Sequence, residues 1–187
     1  MELKTDRLIL RSYRSTDAGA LLRYYSDPEV CKYLCHDPWD EAQARNKVEQ
    51  RCRRTSLDDG GVNLVVEAGR VVIGNVAAWF ATEKEQTLEL GWVFAADARG
   101  RGYATEAVQT LLDDVVFAVP EVHRVIAEMD GRNTASAALA ERLGMRREAH
   151  FVADWRCEGQ WTNTVVYAML RQDRSMCLAS ECERDAQ

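Results

Sequence analysis

The 187-residue chain is long enough for one domain, and its 47% hydrophobic content supplies a core of ordinary size. Its 24 Lys and Arg against 30 Asp and Glu give a net charge of −6. This charge argues against nucleic acid as a partner, because an acidic protein repels a phosphate backbone. The polar opening from Met1 to Arg7 predicts neither a signal peptide nor a membrane span, so we expect a cytoplasmic protein with no membrane partner.

The first half of the chain predicts one strand, two helices and then a group of strands. Apolar residues from Ala18 to Tyr25 recur at helical spacing behind a capping cluster, and the pattern stops before Pro28. A short connection that contains Gly69 marks two later β-like runs as a hairpin. The elements predicted here are strand 8–13, helix 18–27, helix 41–54 and strands 62–67, 71–79 and 87–94.

In the second half, helices and strands alternate after a glycine turn. Gly144 closes one helix at the position where a left-handed residue is favoured. The elements predicted here are helix 104–116, strand 122–129, helix 133–143 and an antiparallel pair of strands, 147–155 and 160–170. This order predicts a single α/β domain with a mixed sheet over 1–170 and a polar C-terminal tail over 171–187.

The six cysteines are scattered, and their spacing predicts no disulfide framework in a reducing cytoplasm. Cys31, Cys35 and His36 are spaced like half of a metal site, but no second Cys or His pair follows at a suitable spacing. The sequence therefore predicts free thiols and no bound metal.

The strongest local feature runs from Arg99 to Thr105, between a strand and a helix. Its two glycines let the backbone approach a ligand closely, and the free N–H groups of the helix start favour an anion, typically a phosphate. No Gly-Lys-Ser/Thr follows, which excludes a Walker loop. A dinucleotide fingerprint fits badly because Thr105 replaces a third small residue and Glu128 comes late. Taken alone, the motif leaves a solvated loop as the alternative.

The wider context favours a phosphate site. Arg99-x-x-Gly102-x-Ala104, placed before an amphipathic helix, resembles the pyrophosphate-binding segment of the GCN5-related N-acetyltransferase (GNAT) superfamily. Asn133-x-x-Ser136 and the helix after it resemble the branch that includes the ribosomal-protein alanine N-acetyltransferases, the RimJ/RimL type. The segments 5–11 and 161–170 are also similar to that branch, so the likeness spans 5–170 in matching order.

This resemblance implies a mostly antiparallel mixed sheet with helices on both faces and a splay between two central strands, here 88–94 and 122–129. The resemblance implies that the pantetheine arm of acetyl-CoA lies in this gap and that a backbone N–H near Val93 and Phe94 stabilises the thioester oxyanion. The turn holds the pyrophosphate, with two arginines adding charge. The residues implied to bind acetyl-CoA are Val93, Phe94, Arg99, Gly100, Arg101, Gly102, Tyr103, Ala104, Thr105, Asn133 and Ser136.

The resemblance also implies direct attack of a neutral amine on the acetyl thioester, so a base or an ordered water must take the amine proton and a donor must reprotonate the thiolate. The match to the branch gives Ser136 as the thiolate donor, with a role at the helix start as the alternative. Glu89 is the candidate base, because it lies on the face opposite Leu88 and Leu90 near the expected splay. An alternative of equal weight is that Glu89 is a structural carboxylate at the strand edge, paired with an arginine.

Three functions remain open at this point. The first is an N-acetyltransferase for a primary amine of a small molecule or a protein N-terminus. The second is an aminoglycoside-type antibiotic N-acetyltransferase that confers resistance, whose cationic acceptor suits an acidic chain. The third is a non-catalytic CoA-binding module, against which the intact turn and Ser136 argue. Trp155 and Trp161 are candidate walls of the acceptor cleft, with Asp154 as the next carboxylate after Glu89; the acceptor and a homodimer stay open.

Overall fold

The computed structural model describes residues 1–81, 86–157 and 159–174. Within these ranges one sheet is built from β1 (Glu2–Lys4), β2 (Ile9–Ser12), β3 (Thr55–Ser56), β4 (Gly61–Ala68), β5 (Val71–Phe80), β6 (Thr87–Phe94), β7 (Arg124–Asp130), β8 (Arg146–Cys157) and β9 (Gln160–Leu170). The helices of the same ranges are α1 (Ala18–Tyr25), α2 (Pro28–Cys31), α3 (Glu41–Arg51), α4 (Tyr103–Leu111) and α5 (Thr134–Arg142). None of these helices is long and apolar enough to span a membrane.

The strand order is β1-β2-β4-β5-β6-β7-β9-β8, with β3 paired to β4 at the side. Neighbouring strands run antiparallel except β6 and β7, which are parallel. A parallel pair needs a crossover connection, and here α4 supplies it. The predicted α/β fold with a mixed, mostly antiparallel sheet is therefore confirmed.

Helices cover both faces of the sheet, because successive side chains of a strand point to opposite sides. On β4, Leu64 belongs to the apolar cluster that includes Leu111 of α4 and Leu139 of α5. Its neighbour Val65 belongs to a second cluster, which includes Tyr24 of α1 and Val48 of α3. The sheet therefore separates two cores, and a gap between strands connects the two sides.

A buried ion cluster fixes the start of α1. Both Nη atoms of Arg11 donate to the carboxylate of Asp17 at 2.8 Å, and Arg11 Nε donates to Glu67 at 2.7 Å. Burial alone would raise the pKa of Asp17, but the bonds from Arg11 and from the Arg14 N–H lower it overall. Removing one partner of such a cluster leaves a buried charge unpaired, which costs about 3–5 kcal/mol.

The predicted helices and main strands are present within a few residues of their expected bounds. The short elements β1, β3 and α2 were not predicted, because two to four residues carry no periodic pattern. The predicted helix 104–116 is α4 followed by a π-helical turn over Leu112–Val116.

The packed part of the chain continues past the predicted boundary at residue 170. Residues 171–174 form a helical turn, in which Arg171 donates to the Phe117 and Val122 carbonyls at 2.7 and 2.9 Å. Arg174 is 4% exposed and donates to both carboxylate oxygens of Asp113. The turn over residues 171–174 therefore packs as part of the domain. The rest of the predicted tail lies outside the described residues.

Two cysteines correct the expectation of free thiols throughout. Cys35, in the loop after α2, forms a disulfide with Cys157 at the end of β8, and their Cα atoms are 5.1 Å apart. The pair is separated by 122 residues in sequence, so no local spacing could indicate it. Cys31 and Cys52 are free thiols, and Cys177 and Cys182 lie outside the described residues.

Candidate active site

The two central strands separate at the point where the cleft opens. The parallel ladder joins Thr87 to Arg124, Leu88 to Val125 and Glu89 to Ile126, and it ends there although both strands continue. Past this point β6 stays paired with β5, and β7 stays paired with β9. The separated edges offer backbone groups to an extended ligand, as the predicted splay requires.

A cavity of about 310 Å³ occupies this gap and reaches both sides of the sheet. Val93 of β6 lines it and packs with the cluster under α1 and α3. Trp92 also lines it but packs with the opposite cluster, under α4 and α5. The volume lies at the small end of the range for small-molecule sites. A donor and an acceptor entering from opposite faces of the sheet can meet in such a cavity.

Ser136 lies in the first turn of α5 and lines the cavity. Asn133 caps the helix, because its side-chain oxygen accepts a hydrogen bond from the Ser136 N–H at 3.1 Å. The indole N–H of Trp92 donates to Ser136 Oγ at 3.1 Å. Among the described residues, no acceptor takes a hydrogen bond from the Ser136 hydroxyl. The hydroxyl is therefore held in place as an acceptor while its proton stays available to a ligand.

Glu89 lines the same cavity, half-buried, at the end of the parallel ladder. Burial raises the pKa of this carboxyl, the nearby charge of Glu128 raises it further, and a hydrogen bond with Trp79 lowers it in part. No arginine forms an ion pair with Glu89 among the residues described, so the alternative of a structural ion pair does not hold there. A carboxylate with a raised pKa is a stronger base than one in water.

The predicted glycine turn leads directly into α4. Gly100 and Gly102 have left-handed backbone angles, with φ of +72° and +77°, and Gly102 is the N-cap residue. The side chains of Arg99 and Arg101 are exposed. The free N–H groups at the helix start and the two arginines fit a pyrophosphate, because both favour negative charge. A Cβ added at Gly102 would lie 3.3 Å from Nη2 of the half-exposed Arg7 side chain, so the main obstacle to a side chain here is the left-handed backbone.

Arg7 holds this turn in place, a role that the sequence did not indicate. Its Nη1 donates to the Arg101 carbonyl at 2.9 Å, and its guanidinium pairs with Glu106 at 2.5 Å. The same guanidinium lies 5.0 Å from the ring centre of Tyr103. The opening segment 5–11 therefore supports the glycine turn, and Tyr103 packs there rather than facing the cavity.

The structure brings Glu89, Val93, Asn133 and Ser136 together at one cavity. It corrects the predicted acceptor wall: Trp155 and Trp161 lie on the β8–β9 hairpin, 57% and 64% exposed, and do not line the cavity. The residues at the cavity that the sequence did not indicate include Arg51, Asn75, Trp79, Trp92 and Glu128.

The structure changes which carboxylate accompanies Glu89 at the cavity. Asp154, the expected second choice after Glu89, accepts a hydrogen bond from the Thr164 N–H at 2.9 Å and does not line the cavity. Glu128 does line it. A charged residue inside an apolar central strand such as Val125–Met129 was the signal that could have found it.

Comparison with known proteins gives the family. A profile of the acetyltransferase (GNAT) domain matches residues 7–146. The uncharacterized N-acetyltransferase p20 of Bacillus licheniformis is 30% identical over 175 residues, covering 91% of this chain and 97% of its own. An acetyltransferase of the GNAT family from Bacillus anthracis has a crystal structure that superposes with a TM-score of 0.81 at 30% identity, covering 92% of this chain and 99% of that one. The chain belongs to the GNAT family.

The resemblance stated from the sequence is thus confirmed at the level of the family. RimL, the ribosomal L7/L12 alpha-N-protein acetyltransferase in complex with coenzyme A, superposes with a TM-score of 0.79 over 91% of this chain and 98% of its own. Its identity of 15% makes this a likeness of fold, so the RimJ/RimL-type branch stays a prediction. The chain is an N-acetyltransferase whose acetyl donor is acetyl-CoA.

Proposed function

We propose that this chain moves the acetyl group of acetyl-CoA directly onto a primary amine of a small molecule or a protein N-terminus, in the cleft between β6 and β7. One observation carries the proposal. Glu89 and Ser136 line the same cavity from opposite sides of the sheet. Glu89 shares a strand face with Val93 of the α1–α3 side, and Ser136 belongs to α5 on the other. A base and an acid thus flank the space where the acetyl group would pass from the thioester sulfur to the amine nitrogen.

On the donor side, residues 99–105 would bind the pyrophosphate through backbone N–H groups, with Arg99 and Arg101 adding charge. The open edge of β6 at Val93 and Phe94 would bind the pantetheine. Asn133 would orient it beside the start of α5. Acetyl-CoA itself supplies an acetyl thioester, which a neutral amine can attack.

On the acceptor side, Glu89 would take the proton of the incoming amine. An alkyl amine has a pKa near 10 and is mostly protonated at neutral pH, so attack requires this proton to leave. The raised pKa of Glu89 suits it to the task. Ser136, its oxygen held by Trp92, would then donate its hydroxyl proton to the departing thiolate. Exchange with solvent would return a proton to Ser136 and remove the one on Glu89. Both residues move protons and form no covalent link to the acetyl group.

The class of acceptor is supported by the chemistry of the cavity. Two carboxylates, Glu89 and Glu128, face the space and favour an amine. The structural neighbour RimL acts on a protein α-amine, which is one member of the proposed class. An aminoglycoside acceptor rests only on the net charge of −6, with no feature of the cavity that selects it.

Ser136→Ala is expected to lower kcat by roughly ten- to a thousandfold, because the thiolate would leave without a proton donor. The affinity for acetyl-CoA should change little, since the Ser136 N–H that Asn133 caps is retained. Steady-state kinetics together with calorimetry of acetyl-CoA binding separate the two effects.

Trp92→Phe is the matched control. It keeps an aromatic ring in the core but removes the indole N–H that holds Ser136 Oγ. We expect a smaller loss of kcat than for Ser136→Ala. If Ser136→Ala leaves kcat at the native value, Ser136 is only a helix-start residue and the proposed proton donor is wrong.

A further inference from the structure

Arg51, the last residue of α3, lines the cavity on the acceptor side of the sheet. Its Nη1 and Nη2 atoms donate to the hydroxyl groups of Tyr13 and Tyr25, each at 3.1 Å. Its guanidinium carbon lies 5.7, 5.1 and 5.2 Å from the ring centres of Tyr13, Tyr25 and Trp39. All of these contacts are with neutral side chains, and together they fix the position of the guanidinium.

Among the described residues Arg51 has no direct ion-pair partner, and the two carboxylates that line the same cavity are Glu89 and Glu128. The buried Arg11, by contrast, pairs with Asp17 and Glu67. Across residues 1–81, 86–157 and 159–174, no carboxylate forms an ion pair with Arg51. The two tyrosines use two of its five N–H donors, and arginine stays charged at any relevant pH. Such a partly buried cation with spare donors favours an anion, because taking a charge out of water without a partner costs free energy.

Arg51 and Glu89 are connected to two positions of β5 that lie four residues apart. The hydroxyl of Tyr25 accepts from Arg51 and donates to Asn75 Oδ1 at 3.1 Å. Asn75 lies on β5, and Trp79, four residues further along, is the strand partner of Glu89. Four residues of a strand span about 13 Å. Asn75 and Trp79 both line the cavity, so the cation and the base bound one continuous space.

We propose that the natural acceptor is an amine that also carries an anionic group, which Arg51 binds while Glu89 receives the amine. This rests on the proposed function. An acceptor about the size of a dipeptide would span the space with its amine at Glu89 and its anion at Arg51. A polycation such as a polyamine or an aminoglycoside would place positive charge against Arg51 and is disfavoured. A carboxylate and a phosphate share the required chemistry, because each accepts paired N–H donors from a guanidinium.

The test compares acceptors that differ only in the anion. With the native chain and acetyl-CoA, thiol release is measured for glycylglycine against glycylglycinamide, for 3-aminopropyl phosphate against 3-aminopropanol, and for spermidine. We expect the anionic member of at least one pair to have a kcat/KM roughly ten- to a hundredfold higher. Preference in the first pair assigns a carboxylate, and preference in the second assigns a phosphate. Equal rates within both pairs, or spermidine as the best acceptor, would overturn the inference.

Variants of Arg51 test whether this residue binds the anionic group of the acceptor. Arg51→Gln is expected to bring the ratio between the anionic and the neutral acceptor to about one, chiefly through a higher KM for the anionic one. Arg51→Lys keeps the charge and should keep part of the ratio. If Arg51→Gln slows both acceptors but preserves the ratio, Arg51 is merely structural and the inference fails. Acetylation of no amine at all by the native chain would instead contradict the proposed function.

Discussion

Replacing Glu89 with glutamine is expected to lower kcat/KM by on the order of a hundredfold, because the variant keeps the shape of the side chain but cannot take a proton. In the native chain, kcat/KM should rise with pH as the carboxyl of Glu89 ionises. In Glu89→Gln, this rising limb of the kcat/KM profile against pH should flatten or move toward the pKa of the free amine, near 10. A pH profile of kcat/KM for both proteins measures this directly.

Glu128→Gln is the control for the pH at which kcat/KM rises. Burial raises the pKa of Glu89 first, and the charge of Glu128 raises it further. Removing that charge should move the limb to lower pH while the base remains. A Glu89→Gln variant with a near-native rate and an unchanged limb would mean that Glu89 is structural, and Glu128 would be the next carboxylate to test.

Stability provides a check that the rate loss is not a folding defect. A carboxyl whose pKa is raised on folding stabilises the fold below its unfolded pKa and loses that contribution as pH rises through its folded pKa. Above both values the ionised, half-buried Glu89 is therefore unfavourable to the native state. Glu89→Gln should be at least as stable as the native chain at pH 8, which thermal unfolding can measure.

Gly102→Val is expected to weaken acetyl-CoA binding by roughly a hundredfold or more, since backbone N–H groups bound to a charged phosphate contribute strongly. The residue has φ of +77°, where a β-branched side chain is strained, and its Cβ would lie 3.3 Å from Arg7 Nη2. The side chain would also occupy the space where backbone must meet pyrophosphate. Calorimetry with acetyl-CoA gives the affinity, and circular dichroism verifies the fold.

Gly100→Val is the matched comparison for that turn. Its φ of +72° imposes the same backbone strain, but a Cβ there has nothing within 4 Å. We expect a smaller loss of affinity than at Gly102, because both positions share the backbone strain but only the Gly102 side chain would stand at the helix start where backbone must meet pyrophosphate. A folded Gly102→Val protein with native affinity would remove the glycine turn from the acetyl-CoA site.

Several residues of the candidate site could be predicted from the sequence. Strand alternation placed Glu89 opposite Leu88, and the spacing Arg99-x-x-Gly102 marked the turn before α4. These features are local, so a short stretch of chain defines each one. The splay between β6 and β7 followed from the resemblance, and the ladder that ends at Glu89 confirms it.

The acceptor half depends on contacts between distant residues, which a single sequence does not reveal. Arg51 belongs to a mostly polar helix, and only its contact with Tyr13 and Tyr25 distinguishes it from the arginines on the solvent face. Trp155 and Trp161 were misplaced because the hairpin that carries them leaves both rings exposed rather than at the cavity.

The most direct test of the central claim is to follow the acetyl group itself. The native chain is given acetyl-CoA with an isotope-labelled acetyl group and a mixture of peptides, amino acids, polyamines and aminoglycosides, and the products are examined by mass spectrometry. We predict label on the amine nitrogen of at least one acceptor, in equal amount to the thiol released, and far less of both with Glu89→Gln. Binding of coenzyme A without label on any amine would contradict the account and favour a non-catalytic CoA-binding module.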